Sequence, residues 1–541
     1  MDHRARFACI ACRRLKRKCP KELPSCSLCV RLEKRCEYPP RARNLHENTS
    51  HESSTSSERP SWEDDRQLLS HPPTELHSAF RKGAIPGPGD VYAFPAMYFL
   101  DSEVCIRPLP SDSAQPIAPI SSSISLPSEP VTVYERYFST IHQWLPVLSK
   151  KRVRQHMAEG GLALDSPLHL LFLCMKLVSE PLPLEVSAKT YKPYIWVLET
   201  LLEVENSRLP CLQLLQSVIL ISIYEMSHAI YPAAYLRVGH ASRLCIMMGF
   251  HDRKHATQLF KDPVTWTARE EERRAWWAVF CLDRITSQGV VGFPLSTPEA
   301  SSGELLPCPE APWNEGGVGF NEPLFAASFS NNTSLGSFAN VCQAAHVLGR
   351  VLRHRSDLHN SSLDLGFRIS EAKQLHQILA SLSGHLSDVS QGSPSLGGSV
   401  SVSLTLCFSA RLSLYDIYAC NEKYSTDHGR SSEEAEMQRE ALVGIFEVVE
   451  HIWQLARQIL DSIQQGGEAE LNTLSPLLCH CLYAAAGESE WLLLEQENSS
   501  AGQWLKDIVK LLELIGERWQ IAGVYLSEIY TWPGYQSCIR V

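Results

Sequence analysis

Six cysteines crowd into residues 9 to 36 with the spacing C-x2-C-x6-C-x6-C-x2-C-x6-C: Cys9, Cys12, Cys19, Cys26, Cys29 and Cys36. The same interval is written twice. A C-x2-C pair lets two thiolates grip one ion from a single turn, and a third cysteine six residues on returns after a short helix. Six thiolates fall short of the eight that two separate tetrahedral zinc ions need. The shortfall vanishes if two sulfurs each bridge both metals. The internal repeat nominates the first cysteine of each half, Cys9 and Cys26. Cys12 and Cys19 then complete one zinc, and Cys29 and Cys36 the other.

A disulfide framework is the competing reading of six cysteines in a short stretch. The chain opens MDHRARFACI, without an apolar leader core, which argues against an oxidising compartment. Twelve further cysteines are scattered singly through apolar segments, as expected of reduced thiols. The six are also interleaved with cations, which favour thiolate and metal binding.

Charge is divided unevenly along the chain. The formal net charge of −10 combines a balance of +9 over residues 1 to 43 with −19 over the remainder. Two Zn²⁺ and six thiolates together add −2, which leaves the N-terminal segment near +7. A compact cation tethered to an acidic body has the electrostatics of a nucleic-acid-binding head.

The cysteine spacing, the basic run Arg13-Arg14-Leu15-Lys16-Arg17-Lys18 and Pro24 between the halves resemble the fungal zinc binuclear cluster transcription factors. The resemblance implies two Zn²⁺ ions and double-stranded DNA as partner. It implies that the first short helix enters the major groove and that Arg13, Arg14, Lys16, Arg17 and Lys18 read a GC-rich, CGG-like half-site. The family position most tied to base contact falls on Lys16, with Arg13 and Lys18 near the backbone. Leu15 stands where many members carry Arg or Lys. A nuclear location and contact with the transcription machinery follow from the same likeness.

Residues 44–130 read as a low-complexity linker, rich in Ser, Pro and acids, broken by an apolar segment at 91–101. No heptads occur from Asn44 to Lys82, so the protein binds as a monomer or as a homodimer joined further on. Residues 131–425 and 426–541 read as all-helical, a large domain and a C-terminal region. The fold class is therefore mostly α: a small zinc module, a linker and a large helical body. Helices are expected from Val131 through the segment ending QHM, then over Pro167–Val178, Tyr191–Val204, Leu212–Met226 and Ala233–Met248, with Gly249 at the terminating position. Thr267 with Glu270 reads as a capping box with an acidic first turn, ahead of a deeply buried aromatic helix through Trp276 and Trp277. Later helices are expected at Ser337–His354, Ile369–Leu386, Val402–Cys420, Ser432–Gln464, Ser475–Glu488 and Gln503–Tyr525. His142 and the Cys479-His480-Cys481 triplet read as core residues rather than ligands.

Residues 131–425 also resemble, loosely and most specifically from Arg237 to Pro294, the fungal transcription factor middle homology region, and the likeness implies a helical regulatory domain there. The more specific segment carries an acidic-Arg-Arg-x-Trp-Trp helix, the pair Asp283-Arg284 and a Gly-x-Pro loop at Gly292–Pro294. Together the likenesses imply a regulator of RNA polymerase II transcription, an activator of a metabolic or secondary-metabolite gene cluster. The alternatives are a repressor or scaffold on the same head, or a ligand-binding helical protein or enzyme with an accessory zinc module. Against an enzyme, no Gly-rich phosphate loop, nucleophile elbow, HExxH or convincing carboxylate pair is found. No apolar run approaches the length of a membrane span.

Overall fold

The computed structural model describes residues 12, 19–31, 36, 100–101, 130–158, 166–183, 186–207, 210–256, 258, 263–301, 303–324, 335–357, 364–391, 398–419 and 431–539. The chain divides into two compact units, Met1–Val91 and Tyr92–Val541. In the first the described helix is α1, Ser27–Arg31. The basic run at 13–18 and most of the linker lie outside the described residues.

The second unit is helical. Its elements are α2 Pro130–Ser139, α3 Lys150–Ala158, α4 Ser166–Ser179, α5 Lys192–Ser207, α6 Leu212–Ser227, α7 Ala233–Met248, α8 Trp266–Thr286 and α9 Glu310–Glu315. There follow α10 Ser337–Ser356, α11 Leu365–Gln391, α12 Ser399–Ala419, α13 Ser432–Gly466, α14 Glu468–Thr473, α15 Cys479–Glu495, α16 Ser499–Gly516, α17 Gln520–Ile529 and α18 Pro533–Ile539. Among the described residues there is no strand; in this unit an isolated bridge joins Leu305 and Pro323. One apolar core runs without a break from Leu100 to Tyr535.

Helix α12 is the axis of that core, packed against α10, α11, α13 and α15. Every residue from Ser399 to Leu412 is buried. Its Ser and Thr side chains tolerate this because they bond carbonyls of the preceding turn, as Thr405 does to Ser401 O at 2.9 Å. Among the described residues it is also the one helix long and apolar enough to cross a membrane, which corrects the expectation that no apolar stretch approaches that length; here its apolar surface is buried in the core. Gly444 of α13 is required where α13 crosses it, since a Cβ there would lie 2.5 Å from the Tyr415 ring.

Several sequence expectations hold. Helix α7 ends at Met248, and Gly249 takes φ 82 to stop it. Residues Arg274 to Thr286 of α8 are buried without exception. Others are corrected. The helix expected from Val131 is two: α2 stops at Ser139, a 3-10 turn follows at Ile141–Gln143, and Pro146 keeps the helix from resuming before α3. The cap of α8 is Thr265, whose side chain accepts from Ala268 N, so the Thr267–Glu270 box and the acidic first turn are absent. Gln503–Tyr525 is divided between α16 and α17. At the break Arg518 turns inward to the end of α4, donating to Ser179 O at 3.3 Å and Val178 O at 3.5 Å.

His228 sits between Tyr224 and Trp519, with ring centroids 4.6 and 5.5 Å away, and its Nδ1 finds no hydrogen-bond partner. Burial, helped by the Arg518 charge, pushes it down to about 3. An unfolded histidine titrates near 6.5. Below that pH the unfolded chain takes up a proton that the folded body refuses, so the neutral ring's contribution is complete above about 6.5 and fades as pH falls. We expect His228→Phe, which keeps the stack, to lessen the loss of body stability between about pH 6.5 and 5.5 by on the order of 1 kcal/mol. Thermal melts of both chains across that window check it, and identical slopes would refute it.

Candidate metal centre

Helix α1 positions the second cysteine triplet. Cys26 precedes it, its carbonyl accepts from Val30 N at 3.1 Å, and Glu22 caps the helix start through Ser27 N at 2.7 Å. That turn brings Cys29 N to 3.4 Å from Cys26 Sγ, and Cys26 N lies 3.1 Å from Cys36 Sγ. Sulfur is the acceptor in both contacts, as a thiolate would be. Cys12, Cys19, Cys26 and Cys29 form a small buried cluster of their own, with Cys36 packed against it.

The sulfur spacing is the decisive geometry. Cys12 Sγ lies 3.6 Å from Cys26 Sγ and 3.8 Å from Cys29 Sγ. The three sulfurs lie within 4.8 Å of one another. Zinc–sulfur bonds of about 2.3 Å in a tetrahedron set the sulfurs about 3.8 Å apart. A disulfide would hold them at about 2.0 Å. No disulfide joins the described cysteines. An all-sulfur donor set, buried and spaced as tetrahedral edges, fits zinc.

Of the residues singled out in the sequence, Cys12, Cys26 and Cys29 are thus brought together, with Cys36 beside Cys26. Cys9, Arg13, Arg14, Lys16, Arg17 and Lys18 lie outside the described residues. The nearness of Cys12 and Cys29 is not something the expected pairing requires, since it assigns them to different metals. Glu22, as the cap of α1, was not singled out. It lies five residues ahead of Ser27, outside the cap positions that mark a helix start in sequence, so no local signal reveals it.

In the helical body, the family-like motif residues act as fasteners. Arg274 is fully buried; it donates to Glu270 at 3.0 Å, Pro146 O at 3.2 Å and Cys308 O at 2.6 Å, and lies over Trp313. Glu270 also accepts from Cys308 N at 2.8 Å and Asn321 Nδ2 at 2.9 Å. Asp283 takes the amides of Ser296 and Thr297 at 3.0 and 2.9 Å. Arg284 stacks on Phe280, 3.4 Å from the ring centroid, and reaches Glu299. Burial pulls the Arg284 guanidinium down, against the upward pull of Asp283 and Glu299. These groups tie loops to α8 and offer no open reacting centre.

The Cys479 and Cys481 thiols are buried, and burial pushes both well up, Cys481 to about 12. They stay protonated, and among the described residues they belong to no group of metal donors. His142 is likewise a core residue, bonded to Asn314 at 2.9 Å and pushed down to about 3 by burial.

Comparison with known proteins agrees with this division. Residues 7–45 match the fungal Zn(2)-Cys(6) binuclear cluster domain, and residues 134–380 match the fungal specific transcription factor domain. A Botryotinia fuckeliana protein named Transcription factor BOA15 is 37% identical over 141 residues, covering 26% of this chain and 76% of the relative. The Monascus ruber protein named Pigment biosynthesis transcriptional activator pigB is 31% identical over 149 residues, covering 26% of this chain and 27% of the relative. A Candida glabrata protein named Negative regulator of pleiotropic drug resistance STB5 is 50% identical over 36 residues, covering 7% of this chain and 4% of the relative.

Proposed function

The chain belongs to the fungal zinc binuclear cluster transcription factors, and from that premise we propose that its head reads a CGG-like half-site in the nucleus to activate a metabolic or secondary-metabolite gene cluster. As a member it is a DNA-binding transcription regulator whose head takes two zinc ions. The observation that carries the reading is the buried sulfur cluster spaced as tetrahedral edges.

Cys9 and Cys26 would bridge the metals, with Cys12 and Cys19 completing one and Cys29 and Cys36 the other. Zinc supplies no reaction here: it folds a segment too short to fold on an apolar core. The residues then divide by task. Lys16 meets base edges and confers preference, while Arg13, Arg14, Arg17 and Lys18 neutralise phosphates and confer salt-dependent affinity. Activation is favoured over repression because the relative named as a pigment activator matches over 149 residues, whereas the negative regulator shares only a 36-residue stretch. The helical body would contact the transcription machinery, and any homodimer would form outside the heptad-free linker.

Lys16→Ala separates preference from folding. Both zinc ions stay, since no sulfur changes. Discrimination between a CGG site and a scrambled site falls by on the order of tenfold, the worth of one base-edge contact. Mobility-shift titrations against both duplexes, alongside a zinc assay, read it out. Unchanged discrimination would remove Lys16 from the interface.

A further inference from the structure

A cleft of about 170 Å³ opens between the loop that follows α8 and the last turns of α10. Val290, Phe293, Pro294, Leu295 and Leu352 form its apolar wall, and Ser287, Ser356, Arg353 and Arg355 supply its polar atoms. We propose that this cleft binds a small carboxylic acid with a compact apolar body, the hydrocarbon against Phe293, Leu295 and Leu352 and the carboxylate at Arg353.

Size limits the ligand first. An apolar cavity of about 150 Å³ accommodates a benzene ring, so this one takes a body of that order plus a short acidic arm. Charge decides the sign. Arg353 stands at the mouth with its side chain 49% exposed, and Glu299, 3.2 Å away, engages one edge of the guanidinium. A guanidinium presents five N–H donors in a fork, so a second carboxylate can share it. Arg355 adds a further positive charge in the wall. It donates to the carbonyls of Gln288, Ser287 and Val290 at 2.8, 3.2 and 2.8 Å, which fixes its charge against the loop just beyond the end of α8. An amine would meet two guanidiniums, and a neutral molecule would leave the second edge of the Arg353 fork unused.

The cleft is also held ready. Arg355 fastens the start of its loop, and Asp283 fastens the far end through Ser296 and Thr297. Gly292 between them takes φ 84 with nothing within 4 Å of where a Cβ would stand, so the mouth stays open there. A preformed site loses less ordering entropy on binding. The Gly-x-Pro loop thereby gains a role that DNA recognition does not give it, and the proposal does not depend on the DNA-binding reading.

The test is titration calorimetry on the zinc-loaded full chain, with phenylacetate as probe and phenylacetamide and acetate as controls. Phenylacetate is expected to bind with Kd of about 1 mM or tighter, in line with ~10 heavy atoms. Each control, lacking the charge or the ring, should be weaker by on the order of tenfold. Arg353→Ala, at a half-exposed position, should weaken phenylacetate on the order of tenfold with the unliganded melt unchanged. Leu295→Trp, which fills the cleft, should abolish binding. If that variant misfolds, Arg353→Ala still decides. No heat at about 10 mM, phenylacetamide binding as well as phenylacetate, or full affinity in Arg353→Ala would each overturn the site.

Discussion

Cys26→Ala is expected to leave the head without either zinc and without sequence-specific DNA binding. Cys26 is fully buried, its sulfur lies 3.6 Å from that of Cys12, and it accepts the Cys29 amide. As a shared sulfur it would be a ligand of both metals, so its loss removes a donor from each at once. Structural zinc contributes roughly 10 kcal/mol or more of folding free energy per site. A segment of this size buries too little apolar surface to replace that. Zinc content should fall from two per chain toward none, and affinity should drop to the non-specific level, about a thousandfold or more. Cys19→Ala, at a sulfur expected to serve one metal, should be the milder change. The body, a separate compact unit, should keep its melting transition, and Cys538→Ala there should leave both zincs in place. A Cys26→Ala chain that retained two zinc ions would rule out a bridging role for this sulfur.

What was legible in the sequence follows from how local each device is. The metal head is written as a repeated interval, because ligands two and six residues apart lie within a turn or a short loop of one another. Gly249 is legible for the same reason: a left-handed residue ending a helix favours glycine wherever it occurs. The start of α8 is not. Thr267 and Glu270 satisfy the spacing of a capping box, but Glu270 is claimed by Cys308 N and Asn321, 38 and 51 residues away, and Thr265 caps instead. The break after Gly516 is equally silent locally, since the partners that draw Arg518 out of line are the carbonyls of Val178 and Ser179. Periodicity can place a helix, whereas its ends answer to groups that only the folded chain brings near.

Arg274→Ala carries that argument into the body, where it should cost about 3–5 kcal/mol, the range for removing one partner from a buried ion pair. Against a total stability of about 5–15 kcal/mol this is a large fraction, although in a body of this size the melting transition should fall by only about 3–5 °C. Glu270 would not be wholly orphaned, because Arg273 remains 2.5 Å away, which keeps the loss from exceeding that range. Arg274→Lys should fall between, since an ammonium restores the charge but cannot hold Glu270, Pro146 O and Cys308 O with one planar fork. Removing both charges as Glu270→Leu/Arg274→Leu often proves neutral for an isolated buried pair. Here it should not. The Cys308 amide, Asn321 and the carbonyls of Pro146 and Cys308 would each lose a partner inside the core, at about 1–3 kcal/mol for each group left unsatisfied. Calorimetric melts of the three variants distinguish the cases, with zinc content and DNA binding at low temperature as the control for an intact head. A double-leucine variant as stable as the parent would mean that the pair holds only itself. A transition lowered at least as far as in Arg274→Ala would mean that it holds the loops, which is the role its four backbone and side-chain partners assign to it.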